Sequence, residues 1–481
     1  MKRKHLFLLA FSLLFVVFSC VKDNVADISP KPLPETQPPA TSGNTITMDS
    51  LRSLALNLPA IFSQQPQTRS TGKTIKEIVS LSSFFNHPAT RSATVSGKNP
   101  VSDIYVVNYS GDAGFAIISA DTRLVDVLAY SDEGNITDTL DNPGVKLFMH
   151  GVYDYADYML NYLPEKGDSV AVHGQVRPAQ AQMISARTFT PPDYDDGYYY
   201  YEEVTDEESG WIGYVKEPLV QVRWGQGIPF YNYAPVCSGT LHMPAGCVAV
   251  AIVEIMSYHK WPPVVYPTAI LNWDILASRK YATQFVDTNE VHMVASLFKE
   301  VGRLVNMNYN CGVSTAYSSD ANTALNSELA YKTDGLVGYS PAQVRTNLNN
   351  NRPVYVAGQK KNSNVGHAWV VDGYKDQTYT THRISRWYRY LGGDSPHELI
   401  ATDTLETYVG TKNYVHCNWG WYGDNDGWFY DKILTPPHDF IFDTGYPAER
   451  EDGMSYDDYP DQGQFNLNIE MIKNIRKNYE P

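Results

Sequence analysis

The sequence predicts an α+β protein in two parts, a small N-terminal domain and a larger C-terminal domain. Residues 48–165 carry helix-like and strand-like apolar patterns in turn. Residues 166–215 lose that period and fill with Gly, Pro, Asp and Tyr, which predicts an exposed acidic linker. Residues 216–481 form the second domain. The chain of 481 residues, 43% apolar and 13% aromatic, is long enough to bury a large core.

The N-terminal domain is predicted from four segments. Apolar residues recur at helical spacing in Met48–Ser63 and predict a short helix, and the apolar pattern continues to Phe85. The runs DIYVVNY and GFAIISA, separated by SGDA, predict a β-hairpin, and LVDVLAY predicts a third strand. After the break at NPG, residues 145–163 return to a helical period.

The first 20 residues, MKRKHLFLLAFSLLFVVFSC, predict an export signal. A basic start is followed by one apolar run that ends in a small residue and a cysteine. Signals of bacterial lipoproteins have this form, so we expect a signal peptide at 1–19, lipidation at Cys20 and a flexible tether at 20–47. The expected location is the outer membrane or the cell surface, with release of a mature form as an alternative.

The formal net charge of −15 bears on the partners of the protein. Binding of a polyanion needs clustered Lys and Arg, and the sequence shows no such cluster. Nucleic acid is therefore not an expected partner. Four cysteines remain after Cys20, at positions 237, 247, 311 and 417, without CxxC spacing. Their pairing stays open, and if Cys247 is a free thiol, any disulfide leaves one further cysteine unpaired.

Cys247 is the first candidate for chemistry, in PAGCVAVAIVEIMSYHKWPP. It precedes a helix-compatible run, where unpaired backbone N–H groups and the helix dipole favour the thiolate. Gly246 has no side chain, so a substrate backbone could approach, and the Cys247 N–H could face a developing oxyanion. The alternative is a buried cysteine that only packs. A zinc site formed by Cys237, His242, Cys247 and His416 or Cys417 lacks the usual ligand spacing.

A nucleophilic cysteine needs a base and a group that orients the base. His367 stands in NSNVGHAWVVDGY, where a Gly-flanked loop enters an apolar strand. Asn418 in VHCNWGWYGDNDGWF can accept from an imidazole nitrogen, and Trp419 beside it could shield that bond from water. The GDNDG that follows is typical of a hairpin turn and lacks the ligand pattern of a calcium loop. We expect neither a metal nor a cofactor.

Five segments in order are similar to the streptopain family of papain-like cysteine peptidases, whose Bacteroidetes members are commonly exported lipoproteins: QVRWGQGIPFYN, MPAGCVAVAIVEIMSYHKWP, RPVYVAG, GHAWVVDGY and HCNWGWYGDNDGWF. The segment IYVVNYSGDAGFAIISADTRLVDVLAYSDEG resembles the family's inhibitory propeptide domain. The resemblance covers residues from about 48 to about 430 and leaves Leu434–Pro481 without a motif.

The resemblance implies a fold and a set of roles. Residues 216–481 would form a papain-like domain with a helical part and an antiparallel, barrel-like sheet, preceded by an inhibitory propeptide at 48–165. Cys247 would be the nucleophile and His367 the general base and acid. Asn418 would orient His367 beneath Trp419, and Gln226 would supply an N–H to the oxyanion hole.

The implied activity is that of an endopeptidase made as a zymogen, with proteins and peptides as substrates and the propeptide as intramolecular inhibitor. The implied preference for an apolar side chain near the cleaved bond points to Met183, Ile184 and Phe189 in the linker as sites of self-processing. Two alternatives stay open: an acyltransferase with the same residues, in which an amine resolves the thioester, and an inactive papain-like surface module.

Overall fold

The computed structural model describes most of the two predicted domains. The described residues are 45–63, 72–85, 99–137, 139–162, 199–210, 215–267, 269–360, 366–389, 398–435 and 467–479. They belong to one compact unit. The signal peptide, Cys20 and the three linker residues Met183, Ile184 and Phe189 lie outside them. Within the described ranges, no helix combines the length and the apolar character needed to cross a membrane.

The N-terminal domain is a four-stranded antiparallel meander with two helices. The elements are α1 (Met48–Ser63), β1 (Ile75–Ser80), β2 (Ile104–Tyr109), β3 (Phe115–Ser119), β4 (Val127–Ser131) and α2 (Pro143–Asp157). Helix α1, the hairpin β2–β3 and the third strand β4 confirm the predictions. The apolar stretch up to Phe85 contains strand β1 rather than further α-helix. The predicted tether ends early, because the Ile46 N–H already bonds the Ala120 carbonyl at 2.8 Å.

The C-terminal domain has a helical part and a sheet part, as the α+β expectation requires. The strands are β5 (Tyr199–Gly210), β6 (Val215–Lys216), β7 (Val236–Ser238), β8 (Leu241–His242), β9 (Val264–Val265), β10 (Ala269–Ile270), β11 (Tyr331–Lys332), β12 (Leu336–Gly338), β13 (Val354–Lys360), β14 (Gly366–Arg389), β15 (Glu398–Asn418), β16 (Gly427–Tyr430), β17 (Leu467–Ile472) and β18 (Arg476–Lys477). The helices are α3 (Cys247–His259), α4 (Trp273–Leu276), α5 (Thr288–Leu304), α6 (Ser318–Ser327) and α7 (Pro341–Asn349).

One large antiparallel sheet joins the two domains. Its order in the described residues is β1-β2-β3-β4-β16-β15-β14-β13-β17-β12, and β5 and β6 also pair with β14. The junction is the pair β4–β16, in which Tyr130 stands opposite Trp428. Strand β17 belongs to the segment Leu434–Pro481, in which the sequence shows no motif, and it lies between β13 and β12. Strand β17 therefore connects β12 to the rest of the sheet.

The predicted linker at 166–215 is partly sheet. Strand β5 pairs with β14 over twelve consecutive residues, from Tyr199 opposite Arg389 to Gly210 opposite Thr378. The three tyrosines and the Val-Thr pair of this segment are residue types that favour strands, and the long hairpin β14–β15 offers the partner. The prediction of a linker up to residue 215 is wrong for Tyr199–Gly210, because an acidic composition suggests an exposed loop whereas this segment forms a strand. Residues Tyr199–Gly210 therefore belong with the C-terminal sheet.

The two faces of β14 belong to different cores. Trp369 and Val371 pack with α1, α2 and the strands of the N-terminal domain. Ala368 and Val370 pack with helix α3 and its neighbours. Successive side chains of β14 thus point to opposite faces of the sheet, and both faces are buried. One face, which we call the propeptide face, therefore meets the N-terminal domain, and the other, the helix face, meets the helical part.

Candidate active site

Cys247 is the first residue of helix α3, as predicted, and Gly246 precedes it as the N-cap with φ of +91°. Only glycine adopts this φ readily, so the turn into the helix requires it. The helix behind is buried from Val248 to Ser257, which holds the start of the helix in place. The side chain of Met307 lies against Gly246 at the position that a Cβ would take, so the close packing there also requires glycine, and the expected approach of a substrate backbone stays a prediction.

The Cys247 thiol is half-buried at the edge of the helix face. Burial raises its pKa, and the backbone N–H groups of Ala368, Val248 and Cys247 act in the opposite direction. The helix start therefore offers the donors that a thiolate needs, but in this arrangement desolvation outweighs them. The raised pKa of the Cys247 thiol is opposite in direction to the lowered pKa expected from its place at the start of the helix.

His367 lies at the start of β14, opposite Gly358 of β13, and the strand that follows it confirms the prediction. Its Nε2 lies 2.7 Å from the Trp419 carbonyl oxygen. A carbonyl only accepts, so Nε2 carries the hydrogen and Nδ1 is left as the nitrogen able to take a proton. Burial lowers the pKa of His367 to about 4, and the bond to the Trp419 carbonyl offsets part of that shift.

The imidazole of His367 points to the propeptide face. Its ring is stacked on Trp369 at 6.4 Å between centroids. Gly144 of helix α2 lies against it, so that a Cβ there would stand 2.9 Å from the His367 ring and would overlap Trp419. Cys247 packs with the helix-face residues. The N-terminal domain therefore covers the predicted base and holds it on the side of the sheet away from the predicted nucleophile.

Among the described residues, the hydrogen bonds of Asn418 go to groups other than His367. Asn418 stands opposite Val370, on the helix face, and its Nδ2 donates to the Val222 carbonyl at 2.9 Å. Its Oδ1 accepts from the Gly420 N–H at 3.1 Å. The predicted direct bond is absent because neighbouring positions on these strands point to opposite faces. The two residues are instead linked through one peptide, whose oxygen binds His367 and whose N–H binds Asn418.

Trp419 is fully buried and lies over helix α2 rather than over a bond between His367 and Asn418. It packs on Trp369 at 5.1 Å and on Phe429 at 4.9 Å between ring centroids. The backbone N–H of Trp419 donates to a carboxylate oxygen of Asp426 at 2.8 Å. Trp419 thus fixes the carbonyl that holds His367, which is a different contribution from the one predicted.

The N-terminal domain also holds the loop between β15 and β16, residues 419–426. Asn142 caps helix α2 by accepting from the Gly144 N–H at 3.0 Å, and its Nδ2 donates to the Asp424 carbonyl at 2.9 Å. Trp421 Nε1 donates to Asp141 at 3.2 Å. An ion pair joins Glu133 to Arg223. These contacts place the N-terminal domain over the candidate site.

Gln226 lies next to the Cys247 loop, because its carbonyl accepts from the Ala245 N–H at 2.9 Å. Its side chain is half-buried. The sequence reasoning missed Tyr422, whose hydroxyl accepts from the Gly227 N–H and whose ring lies against Gly225. The two glycines that flank Gln226 were the available signal, since glycines in such a position indicate close approach by another group.

The remaining cysteines are now assigned. Cys237 and Cys311 form a disulfide with Cα atoms 5.4 Å apart, and Cys247 and Cys417 are free. The zinc alternative fails, since Cys237 is bonded to Cys311 and His416 Nδ1 binds Asp372 at 2.7 Å. Among the described residues, no group of His, Cys, Asp and Glu is arranged to hold a metal ion.

Comparison with known proteins gives two family matches. Residues 224–429 match the Peptidase C10 family, and residues 52–155 match the Spi protease inhibitor family. The chain is 22% identical to streptopain of Streptococcus pyogenes over 381 residues, which cover 70% of this chain and 75% of streptopain. It is 23% identical over 358 residues to the thiol protease/hemagglutinin PrtT of Porphyromonas gingivalis, covering 69% of this chain but only 34% of that protein.

Among solved structures, a prointerpain A fragment of Prevotella intermedia aligns with a TM-score of 0.45 and 18% identity, covering 80% of this chain and 98% of the fragment. The fold and the two family matches define the class, a cysteine-type endopeptidase joined to an inhibitory propeptide domain. The chain belongs to the streptopain family of these peptidases.

Proposed function

We propose that this chain is an exported cysteine endopeptidase made as a latent zymogen, with Cys247 as nucleophile and His367 as base. The observation that carries the proposal is the position of His367, which Gly144 covers on the propeptide face while Cys247 lies on the helix face. Burial leaves both groups uncharged, with a raised pKa for the Cys247 thiol and a lowered pKa for His367. An uncharged pair that is kept apart cannot attack a peptide.

Removal of the N-terminal domain would free His367 to turn toward Cys247 and Asn418. His367 Nδ1 then takes the proton from the Cys247 sulfur, and the thiolate attacks the substrate carbonyl carbon. The Cys247 N–H and the Gln226 side chain bind the oxyanion. His367 returns the proton to the leaving amine, and water releases the acyl group from the thioester in a second round.

The position of β5 limits where the zymogen is cut. Strand β5 pairs with β14 along all twelve residues of Tyr199–Gly210, so a protease could cut within β5 only after its hydrogen bonds to β14 are broken. Helix α2 and the turn after it, up to Tyr162, belong to the N-terminal domain. We therefore place the cut between Tyr162 and Tyr199, the range that includes Met183, Ile184 and Phe189. The mature enzyme would keep β5.

Attachment to the membrane is a separate part of the proposal, supported by the sequence around Cys20. A lipid on Cys20 would anchor the zymogen through the tether, and a cut after Tyr162 would release the mature enzyme. In cells that express Cys20→Ser, the precursor should leave the membrane fraction. A precursor that stays membrane-bound would refute lipidation at this residue.

The test of function uses the full chain and a thiol-directed epoxide. We expect hydrolysis of a protein substrate, loss of that activity with one equivalent of epoxide on Cys247, and a new N-terminus between residues 163 and 199 by mass spectrometry. The Cys247→Ala chain, incubated alone, should neither cleave nor mature. Adduct at another cysteine, or full activity without an adduct, would overturn the assignment. Amide formation with an added amine in place of hydrolysis would identify an acyltransferase.

A further inference from the structure

Gln226 lies between two glycines that both contact one tyrosine. A Cβ at Gly225 would stand 2.6 Å from the ring of Tyr422, and a Cβ at Gly227 would overlap its hydroxyl. The Gly227 N–H donates to the Tyr422 hydroxyl, and the Tyr422 N–H donates to the Trp224 carbonyl at 2.9 Å. The segment around Gln226 is thus fitted to Tyr422 from both sides.

We propose that Tyr422 is a positioning residue for catalysis, which orients the Gln226 side chain toward the oxyanion by fixing the peptide between Gln226 and Gly227. This inference rests on the proposed oxyanion role of Gln226. It assigns to Tyr422 no contact with substrate.

A single peptide plane, between Gln226 and Gly227, makes hydrogen bonds at both of its edges. The oxygen of this peptide is the Gln226 carbonyl, which accepts from the Ala245 N–H at 2.9 Å, two residues before Cys247. The nitrogen of the same peptide is that of Gly227, which donates to Tyr422. One bond alone leaves the plane free to rotate about that contact. Two bonds at opposite edges fix it, and with it the position of the Gln226 Cα, from which the side chain starts, and the direction of its Cα–C bond.

Tyr422 is itself held firmly. It occupies the left-handed region with φ of +64°, and its ring packs near Phe230 at 6.3 Å between centroids. Burial raises the pKa of its hydroxyl, which therefore stays neutral and able to accept the Gly227 N–H. A side chain so constrained by packing can transmit its position to the segment that it binds.

The variant Tyr422→Phe removes one acceptor and keeps the ring that contacts the glycines. Oxyanion donors matter most in the transition state, and a small misplacement of such a group costs rate rather than binding. We expect kcat to fall about tenfold, with KM and the rate of Cys247 alkylation by iodoacetamide within about twofold of wild type. The matched control is Tyr266→Phe, whose ring is 80% exposed, and it should not change kcat.

A double-mutant cycle with Gln226→Ala tests whether Tyr422 acts through Gln226. All variants are expressed as the full chain and matured by the same added protease. Gln226→Ala should lower kcat about a hundredfold, and adding Tyr422→Phe should lower it no further. Multiplying effects, or an unchanged kcat in Tyr422→Phe, would overturn the proposal.

A second readout does not depend on peptidase activity. In the full Cys247→Ala chain, hydrogen exchange of the peptide that contains Gly227 should accelerate at least about tenfold in Tyr422→Phe, because that N–H loses its acceptor. Unchanged exchange would refute the anchoring itself. If exchange becomes faster but Gln226→Ala does not change kcat, Tyr422 anchors the peptide but Gln226 has no oxyanion role. That result would refute this part of the proposed function and the catalytic part of the inference.

Discussion

The two faces of strand β14 are equally well buried but serve different purposes. The helix face packs against α3 and carries the surroundings of Cys247, whereas the propeptide face carries His367 and Trp369 beneath helix α2. A cysteine nucleophile and its general base have to lie within hydrogen-bond reach of each other. Under the proposed function, latency would consist of a displaced base, His367, while Cys247 and the helix that it begins are already in place.

The largest effect is expected from removal of the Cys247 sulfur on the helix face. Cys247→Ala should lower peptide hydrolysis about 10⁴-fold or more, because no other group can form the acyl-enzyme. The matched control is Cys417→Ala, which removes the other free thiol, a buried one on the propeptide face. It should keep activity within a few-fold. Equal losses in both variants would deny Cys247 its special role.

A change at Gly144 on the propeptide face should act in the opposite direction. Gly144→Val would overlap Trp419 and crowd His367, so helix α2 would be displaced from the site. We expect hydrolysis of a small peptide substrate by the uncut precursor to rise about 10- to 100-fold, which corresponds to about 1.4–3 kcal/mol of lost closure. The control Lys146→Val makes a similar substitution at an exposed position of the same helix and should leave the precursor latent.

The titration of His367 distinguishes the closed precursor from the open enzyme. In the closed form burial lowers the pKa to about 4, against an ordinary value of 6.5. Above about pH 6.5, His367 is neutral in both forms, and the closed form has its full stability. As the pH falls toward 4, the open form binds a proton more readily than the closed form, so the stability of the closed form relative to the open form is lost. Histidine NMR on the full Cys247→Ala chain should show the low pKa before cleavage and a higher one afterwards. Identical values in both samples would contradict the account.

The disulfide provides the smallest contrast, because it lies only in the helical part. Cys237 and Cys311 are 74 residues apart, while residues 45–162 contain no cysteine. Loss of the crosslink in Cys237→Ser/Cys311→Ser should lower the free energy of unfolding of the helical part by about 4 kcal/mol and leave the N-terminal domain unaffected. Hydrogen exchange resolves the two regions. Added reductant should reproduce the change in wild type and have no further effect in the variant.

Local patterns predicted the elements around the site well. The hairpin β2–β3, the helix that begins at Cys247 and the strand that follows His367 each depend on periodicity or turn residues that lie close together in the chain. Because these signals lie within short stretches of the chain, the sequence alone predicts these elements. Cys247, His367 and Asn418 were candidates from their own sequence context, and the resemblance to the family added Gln226 and the inhibitory role of the N-terminal domain.

Long-range geometry was not readable in the same way. The face on which His367 lies depends on helix α2, more than 200 residues earlier in the chain, and the bond of Asn418 to Gly420 depends on how a turn folds. Strand β5 was mistaken for a linker because an acidic composition suggests exposure, while its partner β14 is remote in sequence. Tyr422 had no sequence signal of its own beyond the glycines that it contacts.

The pH dependence of Cys247 alkylation by iodoacetamide distinguishes a displaced His367 from one that is paired with the sulfur, because the alkylation rate follows the fraction of thiolate. In the full precursor, burial raises the pKa of Cys247, so alkylation should stay slow at neutral pH and increase only under alkaline conditions. After maturation, with His367 beside the sulfur, we expect rapid alkylation already at neutral pH. The same neutral-pH rate in the precursor and the mature enzyme would contradict a zymogen that is kept latent by a displaced histidine.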